Sequence, residues 1–311
     1  MKLKKLMLMC AFTTSVISMG STVSAAEIKK IGLAVPNLSA NYFIQIKESV
    51  EEYATKKGIK VLTVNANDDS STQVSQVQDL MTQNIDAFLY IPAGAAAATV
   101  PPRLARRAGI PVVNLDRNAE TEPGDTFIAG EGIKSAYKVC SHIIDLAGGK
   151  GEMIIIHGQK GVTPEVNRTK GCEQAIAENP EVKLVANQWS ERWSQDEGFS
   201  IAQNLLQAYP NVNLIFGQAD GLAMGASKAV AASGLKHRIF VGGYDGDTGA
   251  LLAIKKGVFD VTATQSTRAM GRLAVDSAIK LAAGGTVPKE QIIDAVLTTS
   301  ANVDAFIADH P

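Results

Sequence analysis

A carboxylate and a guanidinium stand next to each other at Asp116 and Arg117, directly after the apolar segment Ile110–Leu115. That segment is rich in branched residues, which is typical of a strand buried on both faces of a parallel sheet. Open α/β sheets bind ligands at the carboxyl ends of their strands. The pair could therefore hold a polar ligand, although taken alone a surface ion pair at a solvated strand end is the better interpretation.

Similar side chains follow the other predicted strands. They are amides, acids, one arginine and aromatic residues: Asn37, Asn41, Tyr42, Phe43, Arg168, Trp189, Trp193, Gln218, Asp220, Tyr244, Asp245 and Gln265. Aromatic faces can pack against the C–H face of a sugar ring, and Asp, Arg, Asn and Gln make paired hydrogen bonds to neighbouring hydroxyls. Because Asp and Arg partly neutralise each other, the set favours an uncharged, hydroxyl-rich ligand.

Each of these residues also has a purely structural interpretation. Tyr42 and Phe43 could staple the start of a helix, and Trp193 could cover a hydrophobic patch. Asp245 could start a turn or cap a helix, and Arg168 could be a solvated helix residue. The functional interpretation is favoured because all of them converge on the same predicted edge.

Enzyme signatures are scarce. The sequence has no Gly-x-Gly-x-x-Gly, P-loop, Gly-x-Ser-x-Gly or Cys-x-x-Cys motif. The four histidines lack metal-ligand spacing: His142, His157, His237 and His310. His157 follows a predicted strand, where a general base could stand, but a polar strand-end residue outside any catalytic arrangement is the favoured interpretation. We predict neither an enzyme nor a cofactor or metal site.

The N-terminus has the order of a secretory signal. Three lysines precede the apolar stretch Leu6–Ile17 and the small-residue sequence Val23–Ala26. We predict a cleavable signal peptide over residues 1–25, and therefore a periplasmic protein. Cys10 leaves lipid anchoring as a minor alternative.

Charge and composition exclude several classes of function. Removing the leader takes three of the 30 basic residues and leaves 27 against 31 acidic ones, a net charge of −4. This gives no basic field for nucleic acid. No later apolar run is long enough to span a membrane, and 46% hydrophobic residues provide ample core. The remaining cysteines, Cys140 and Cys172, could form a disulfide or stay as buried thiols.

Apolar segments alternate with helical patterns along the chain. The predicted strands are Lys30–Val35, Lys60–Val64, Ala87–Ile91, Pro111–Leu115, Glu152–Ile156, Lys183–Ala186, Asn213–Phe216, Ile239–Gly242, Val258–Thr264 and Ile292–Thr298. The predicted helices are Phe43–Lys57, Thr72–Gln83, Thr99–Ala108, Ser135–Ala147, Asn167–Glu178, Asp196–Ala208, Leu222–Ser233, Thr248–Lys256 and Ala269–Ala282. Strands alternating with helices indicate βαβ units and a doubly wound parallel sheet.

The two halves of the chain share one layout. Each half ends a late strand in an aspartate, Asp116 in one and Asp245 in the other. We therefore predict two similar α/β lobes whose strand ends face one cleft. The segments after Asp245 are too few for a third lobe and should complete both. The predicted first lobe holds residues 27–129 and 266–291, and the second holds 130–265 and 292–311.

Several stretches resemble the periplasmic sugar-binding proteins of the ribose-binding type, the substrate receptors of ABC importers. The resemblance covers Glu27 to Thr299 in order and spacing, and it includes Leu38–Phe43, Gly109–Arg117, Gln203–Leu206 and Val241–Gly246. It implies a fold of two Rossmann-like, doubly wound parallel-sheet lobes, joined by a multi-segment hinge around a ligand cleft.

The resemblance also implies a ligand site. The family's aromatic clamp falls on Tyr42, Phe43 and Trp193. Its hydroxyl-binding polar groups fall on Asp116, Arg117, Arg168, Asp245 and Gln265.

Three positions depart from the ribose-binding pattern. Ala40, Ile91 and Ala219 stand where the ribose binder places asparagines. Fewer amides leave fewer partners for buried hydroxyls, so the resemblance implies a ligand other than ribose, such as another pentose, a hexose, a deoxy sugar or a polyol. Asn37 or Asn41 could compensate.

The resulting functional prediction is a monomeric periplasmic receptor for a small neutral sugar or polyol, with the membrane permease of an ABC importer as its partner. One alternative is a receptor for a sugar-like signalling molecule or one that serves a chemoreceptor. The other is a secreted α/β sugar-converting enzyme, which would need an acid/base pair or a metal in the cleft.

Overall fold

A computed structural model of the protein describes residues 28–119 and 121–310. Its strands are β1 (Lys30–Val35), β2 (Lys60–Asn65), β3 (Ala87–Tyr90), β4 (Val112–Leu115), β5 (Thr126–Gly130), β6 (Lys150–His157), β7 (Glu181–Trp189), β8 (Val212–Gly217), β9 (Phe240–Gly242), β10 (Val261–Thr264), β11 (Glu290–Ile293) and β12 (Val296–Thr299). They form two six-stranded sheets, ordered β11-β5-β4-β3-β1-β2 and β12-β10-β9-β8-β6-β7.

Ten helices of the described chain cover these sheets. They are α1 (Asn41–Lys56), α2 (Ser70–Met81), α3 (Val100–Arg107), α4 (Gly132–Leu146), α5 (Thr163–Ala177), α6 (Gln195–Ala208), α7 (Asp220–Ala232), α8 (Thr248–Lys255), α9 (Thr267–Ala282) and α10 (Val303–Ala308). The first sheet with α1, α2, α3 and α9 is called the first lobe below, and the second sheet with the other helices is called the second lobe.

The central strands are buried on both faces, which explains why each sheet has helices on either side. In β1, Ile31 and Leu33 enter one hydrophobic cluster, whereas Ala34 enters another. In β6, Ile154 and Ile155 divide in the same way. Because side chains alternate across a strand, such strands are apolar throughout and need a helical layer on either side.

The predicted fold of two doubly wound α/β lobes is confirmed, with differences at the end of the chain. The predicted single strand Ile292–Thr298 is wrong. It is two strands, with β11 parallel to β5 in the first lobe and β12 antiparallel to β10 in the second. The apolar pattern runs on through Asp294 and Ala295, so periodicity could not show that the chain changes lobes there. Strand β5 and helix α10 were not predicted.

The chain passes between the lobes in three short segments. Glu131 separates β5 from α4, residues 265–266 separate β10 from α9, and residues 294–295 separate β11 from β12. We propose lobe boundaries close to the sequence prediction, with Gly130 assigned to the first lobe and the last crossing moved to residues 294–295. The reason is that Ile292 and Ile293 still pair with β5.

Cys140 on α4 and Cys172 on α5 form a disulfide with Cα atoms 5.3 Å apart, which decides between the two alternatives for these residues. The predicted signal peptide and Cys10 lie outside the described residues. Over residues 28–119 and 121–310, no helix combines the length and apolar character needed to cross a membrane.

Candidate functional site

A cavity of about 240 Å³ lies between the lobes, where the carboxyl ends of both sets of strands face each other. Seven of the eight predicted ligand-binding residues line it: Tyr42, Phe43, Asp116, Arg117, Arg168, Trp193 and Asp245. The other lining residues are Ser39, Ala40, Asn41, Pro164, Arg192, Ser194, Gln195, Ala219, Gly221 and Asp247.

The first lobe contributes Asp116, which directly follows β4. Its backbone N–H donates to the carbonyl of Ile128 on β5 at 2.8 Å, which fixes the residue at the sheet edge. The Tyr42 hydroxyl donates to Asp116 Oδ1 at 3.0 Å, and Arg117 Nε lies 3.7 Å from Asp116 Oδ2. The carboxylate is therefore held between a phenol and a guanidinium at the cavity wall.

The second lobe contributes Asp245 in the equivalent place. Its backbone N–H donates to the carbonyl of Ala263 on β10 at 3.0 Å. Gln265 Nε2 donates to Asp245 Oδ1 at 3.0 Å, and Arg168 Nη2 lies 3.4 Å from the same oxygen. Each lobe thus brings an aspartate with a neighbouring arginine to the cavity.

Both arginines are almost completely buried, with 2% of Arg117 and 4% of Arg168 exposed. Arg117 Nη1 donates to the Pro92 carbonyl at 2.9 Å, and Arg168 Nη1 donates to the Gln218 carbonyl. In both side chains Nε is buried and has no hydrogen-bond partner among the described residues. A buried donor without a partner is costly, so these atoms are suited to an acceptor on a bound molecule.

Trp193 forms an aromatic wall shared by the two arginines. The guanidinium carbons of Arg117 and Arg168 lie 5.8 and 5.6 Å from its ring centroid. A Cβ at Gly158 would overlap the indole ring, so glycine is required at that close approach. The ring centroid of Phe43 lies 5.3 Å from the guanidinium carbon of Arg117, and the ring adds a second aromatic surface to the same cavity.

The backbone is strained at three lining residues. Asp116 (φ 56°), Trp193 (φ 58°) and Asp245 (φ 128°) are three of the six non-glycine residues with positive φ in the part of the chain that the structure describes. Such conformations cost free energy and persist where the surrounding structure enforces them, often at ligand sites. Here they aim the side chains into the cavity instead of along the strands.

Burial dominates the ionisation of these groups. It raises the pKa of Asp245, and the nearby carboxylates of Asp247 and Asp220 raise it further against the opposing effect of Arg168. Burial likewise lowers the pKa of Arg117 and raises the pKa of Tyr42 well above its usual value. Burial is also the largest single effect on Arg168 and lowers its pKa, but Asp245, Tyr244, Asp116 and Tyr42 together outweigh it, so the pKa is raised.

The formal charges of the side chains that line the cavity balance. Three arginines face three aspartates: Arg117, Arg168, Arg192, Asp116, Asp245 and Asp247. A cavity with equal numbers of cations and anions gains little from a charged ligand, because any net charge would have to be desolvated without a matching excess of counter-charge. The arrangement favours a neutral ligand that donates and accepts hydrogen bonds.

Hydrogen bonds join the two lobes across the cleft. Asn41 Nδ2 donates to Asp247 Oδ1 at 3.2 Å, and Arg117 Nη1 donates to Gln159 Oε1 at 3.3 Å. The Asn118 N–H donates to Thr163 Oγ1 at 3.1 Å. The lobes are therefore closed on the cavity.

Gln265 does not line the main cavity. It lies behind the clamp, between the Asp245 carboxylate and the Tyr42 hydroxyl, whose oxygen is 3.4 Å from Gln265 Oε1. Its position in a segment between the lobes lets it orient both residues. A direct contact of Gln265 with a ligand stays a prediction.

Other polar residues at the strand ends support the site from outside it. Gln218 is fully buried and bonds to Thr169 and to the Gly158 N–H, and its carbonyl accepts from Arg168. Asp220 accepts from the backbone N–H groups of Gly246 and Asp247. Sequence position placed these side chains at the correct edge but could not show which of them face inward.

His157 and Trp189 also lie away from the cavity. Their rings stack at 4.6 Å, and Trp189 Nε1 donates to Glu165 Oε1 at 3.1 Å. His157 Nδ1 lies 3.3 Å from the same carboxylate, and burial lowers the pKa of the imidazole. Of the two tryptophans, only Trp193 faces the cavity.

Sequence analysis did not select Asp247, Arg192 and Gln195 as site residues. Asp247 belongs to the loop after Asp245, and Arg192 is the neighbour of Trp193, so proximity to predicted residues was the available signal. Among residues 28–119 and 121–310, no group of three or more His, Cys, Asp or Glu side chains is arranged to hold a metal ion.

The sequence is similar to those of two solute-binding proteins. The ribose import binding protein of Bacillus subtilis (strain 168) is 33% identical over 259 residues, covering 83% of either chain. The xylitol-binding protein of Mycolicibacterium smegmatis is 28% identical, covering 93% of this chain and 82% of that protein.

Solved structures of solute-binding proteins are similar to this chain in fold. A solute-binding protein of an ABC transporter from Bacillus halodurans, with bound myo-inositol, has a TM-score of 0.84 at 26% identity and covers 92% of this chain and 99% of that one. A periplasmic solute-binding protein from Actinobacillus succinogenes, with bound D-allose, has a TM-score of 0.83 at 27% identity, with coverage of 89% and 99%. The family model described as a periplasmic binding protein domain matches residues 31–286, and the chain therefore belongs to the periplasmic binding protein family.

Proposed function

We propose that the protein captures one small neutral sugar or polyol between its lobes and delivers it to the permease of an ABC importer. The observation that carries this proposal is the closed, aromatic-walled cavity in which three arginines balance three aspartates. Its buried Nε atoms on Arg117 and Arg168 and the buried Nε1 of Trp193 are donors without protein partners among the described residues. A hydroxyl-rich ligand supplies acceptors for them.

The size of the cavity favours a single ring. Pockets for drug-sized ligands have volumes of roughly 300–1,000 Å³, whereas this one has about 240 Å³. The named relatives support the same class, because their ligands are ribose, xylitol, myo-inositol and D-allose. All of these are uncharged and polyhydroxylated.

Ribose itself is not the ligand that we propose. Ala40 and Ala219 line the cavity where the ribose-type pattern has amides, so two hydrogen-bonding side chains are missing from its wall. Ile91, the third departure, is fully buried in the hydrophobic cluster of the first lobe. Its effect on ligand choice would be indirect.

Binding and closure are coupled in this proposal. A ligand that contacts Asp116 in the first lobe and Asp245 in the second makes all of its bonds only when the lobes are closed. It therefore shifts the population towards the closed form by the free energy of those extra contacts. The permease would recognise that form, and no covalent bond changes.

We further propose that residues 1–25 direct export to the periplasm and are removed, and that the mature protein acts as a monomer. A role beside a chemoreceptor, or as a receptor for a sugar-like signal, would use the same cleft. Mass spectrometry and sedimentation of protein isolated from the periplasm test the first two statements.

A thermal-shift screen of pentoses, hexoses, deoxy sugars, cyclitols and alditols tests the ligand class, because a ligand that binds only the folded state raises the melting temperature. Hits are then titrated by calorimetry and by tryptophan fluorescence. We expect one-to-one binding without product. Trp193→Phe should remove the ligand-induced fluorescence change, whereas Trp189→Phe should retain it. Turnover of a bound sugar, or no stabilisation by any compound in the screen, would overturn the proposal.

A further inference from the structure

Two polar residues of the cavity stand apart from the aspartate–arginine pairs. Asn41 is the first residue of α1 in the first lobe, and Asp247 lies just before α8 in the second. Asn41 Nδ2 donates to Asp247 Oδ1 at 3.2 Å across the cleft, and both residues line the cavity. They are called the acceptor pair below.

The backbone fixes Asp247 in place. Its N–H donates to Asp220 Oδ2 at 2.8 Å, and the N–H of Gly246 donates to the same oxygen at 2.8 Å. Asp220 is fully buried, and its other oxygen accepts from the Thr262 hydroxyl at 2.7 Å. The loop that carries Asp247 is therefore anchored to the core of the second lobe, which keeps the carboxylate from swinging away from a ligand.

Accepting oxygens predominate in the acceptor pair. A carboxylate only accepts hydrogen bonds, and Asn41 donates one of the two N–H bonds of its amide nitrogen to Asp247. Neither Asn41 Oδ1 nor Asp247 Oδ2 accepts a hydrogen bond from any described residue. These two oxygens can accept hydrogen bonds from a ligand hydroxyl.

Two short side chains leave room beside the pair. Ala40 precedes Asn41 in the chain, Ala219 precedes Asp220, and both alanines line the cavity. An amide at either position would be a longer side chain on the cavity wall. A substituent on the ligand can use that space and reach the acceptor pair.

We propose, on the basis of the function proposed above, that the acceptor pair binds a hydroxyl on an exocyclic carbon of the ligand. The substrate class is then a hexose-type sugar with a free hydroxymethyl group, in preference to a pentose, a 6-deoxy sugar or an unsubstituted cyclitol. The donor is a neutral hydroxyl because the lining charges already balance, so an ammonium group would add an unmatched charge.

Matched ligand trios test this inference. D-galactose, D-fucose and L-arabinose share their ring stereochemistry but carry a hydroxymethyl group, a methyl group and no exocyclic carbon. D-glucose, 6-deoxyglucose and D-xylose form a second trio. Calorimetry at pH 7.5 should show the hydroxymethyl member of the binding trio to be at least 10-fold tighter than the other two.

Variants of the acceptor pair locate the preference. Asp247→Asn keeps the shape but weakens the acceptor, and it should reduce the ratio between the hydroxymethyl and methyl sugars to about 3-fold or less. Asn41→Ala should reduce it in the same direction. The exposed Asp196→Asn, on the first turn of α6, is the matched control and should leave the ratio unchanged.

The outcomes separate the two proposals. Equal affinities within each trio, tighter binding of the 6-amino analogue, or a cyclitol as the tightest ligand would overturn the acceptor pair as a hydroxymethyl site while leaving solute binding intact. Absence of binding by every sugar and polyol would instead overturn the proposed function.

Discussion

The two lobes place an aspartate in the same position but surround it differently. Asp116 follows β4 and Asp245 follows β9, each of which is the fourth strand of its sheet in chain order. Both residues have positive φ, and the backbone N–H of each donates to a carbonyl of the neighbouring strand. Asp116 then meets the Tyr42 hydroxyl. Asp245 instead lies near two further carboxyl groups, Asp220 and Asp247, whose charges raise its pKa after burial.

The lobes also differ in how they are held together. The only disulfide of the described chain, between α4 and α5, is in the second lobe, where α5 also carries Arg168. One sheet closes with a parallel strand and the other with an antiparallel one. The framework that the two lobes share therefore fixes where the ligand-binding side chains lie, whereas each lobe sets their ionisation and rigidity separately.

We expect the largest effect from removing the disulfide of the second lobe. Cys140→Ser with Cys172→Ser removes a crosslink between residues separated by 32 positions, and chain entropy then lowers the free energy of unfolding by about 3–4 kcal/mol. Guanidinium denaturation with and without ligand measures this. Dithiothreitol should destabilise the wild type and leave the variant unaffected, and equal stability of the two proteins would contradict the prediction.

The next effect tests whether the lobes contribute equally to binding. Asp116→Asn and Asp245→Asn each convert charge-assisted hydrogen bonds into neutral ones and should each weaken the tightest ligand about 100-fold, or about 3 kcal/mol. Calorimetry measures the dissociation constants, with Asp196→Asn as the exposed control. If only one variant loses affinity, the ligand is held by one lobe and the shared clamp is wrong.

We expect the smallest effect from the ionisation of Asp247, which has no counterpart beside Asp116. Burial raises the pKa of Asp247 to about 6, so the folded protein retains a proton that the unfolded chain loses near pH 4. The free energy of unfolding of the wild type, relative to that of Asp247→Asn, should therefore fall as pH rises from 4 to about 6 and stay level above that. The expected fall is about 1 kcal/mol, because the carboxyl group is partly exposed and solvent weakens the effect.

Urea unfolding of the ligand-free proteins at pH 4.5, 5.5, 6.5 and 7.5 measures this difference. Comparing the variant with the wild type cancels the opposite contribution of His157, whose lowered pKa makes the fold gain stability over part of the same range. A difference that grows with pH in favour of the wild type would contradict the raised pKa of Asp247.

Much of the fold follows from the sequence because parallel strands buried on both faces leave continuous apolar segments. The rule that ligands bind at strand carboxyl ends then brought Asp116, Arg168 and Trp193 together although they are far apart in the chain. Strand β5, Thr126–Gly130, was not predicted because it is short and lies close to Gly124. The division into β11 and β12 was not predicted because Asp294 and Ala295 interrupt the apolar pattern too weakly.

The remaining parts of the site depend on closure. Asp247 and Asn41 meet only because the lobes approach each other, and no local spacing encodes that contact. Gln265 was predicted as a ligand contact from the family resemblance, and in the closed structure its side chain lies between Asp245 and Tyr42. Tertiary geometry decided these roles.

The shortness of the three crossings sets the kind of motion that the lobes can make. One residue, Glu131, or two residues at 265–266 and 294–295 join elements of opposite lobes, and a residue spans at most about 3.6 Å. The edges of the lobes at these crossings therefore cannot separate, and opening must be a rotation about an axis through them. Gln265 belongs to one of these crossings, so it moves less than the mouth of the cleft, which swings through a wider arc.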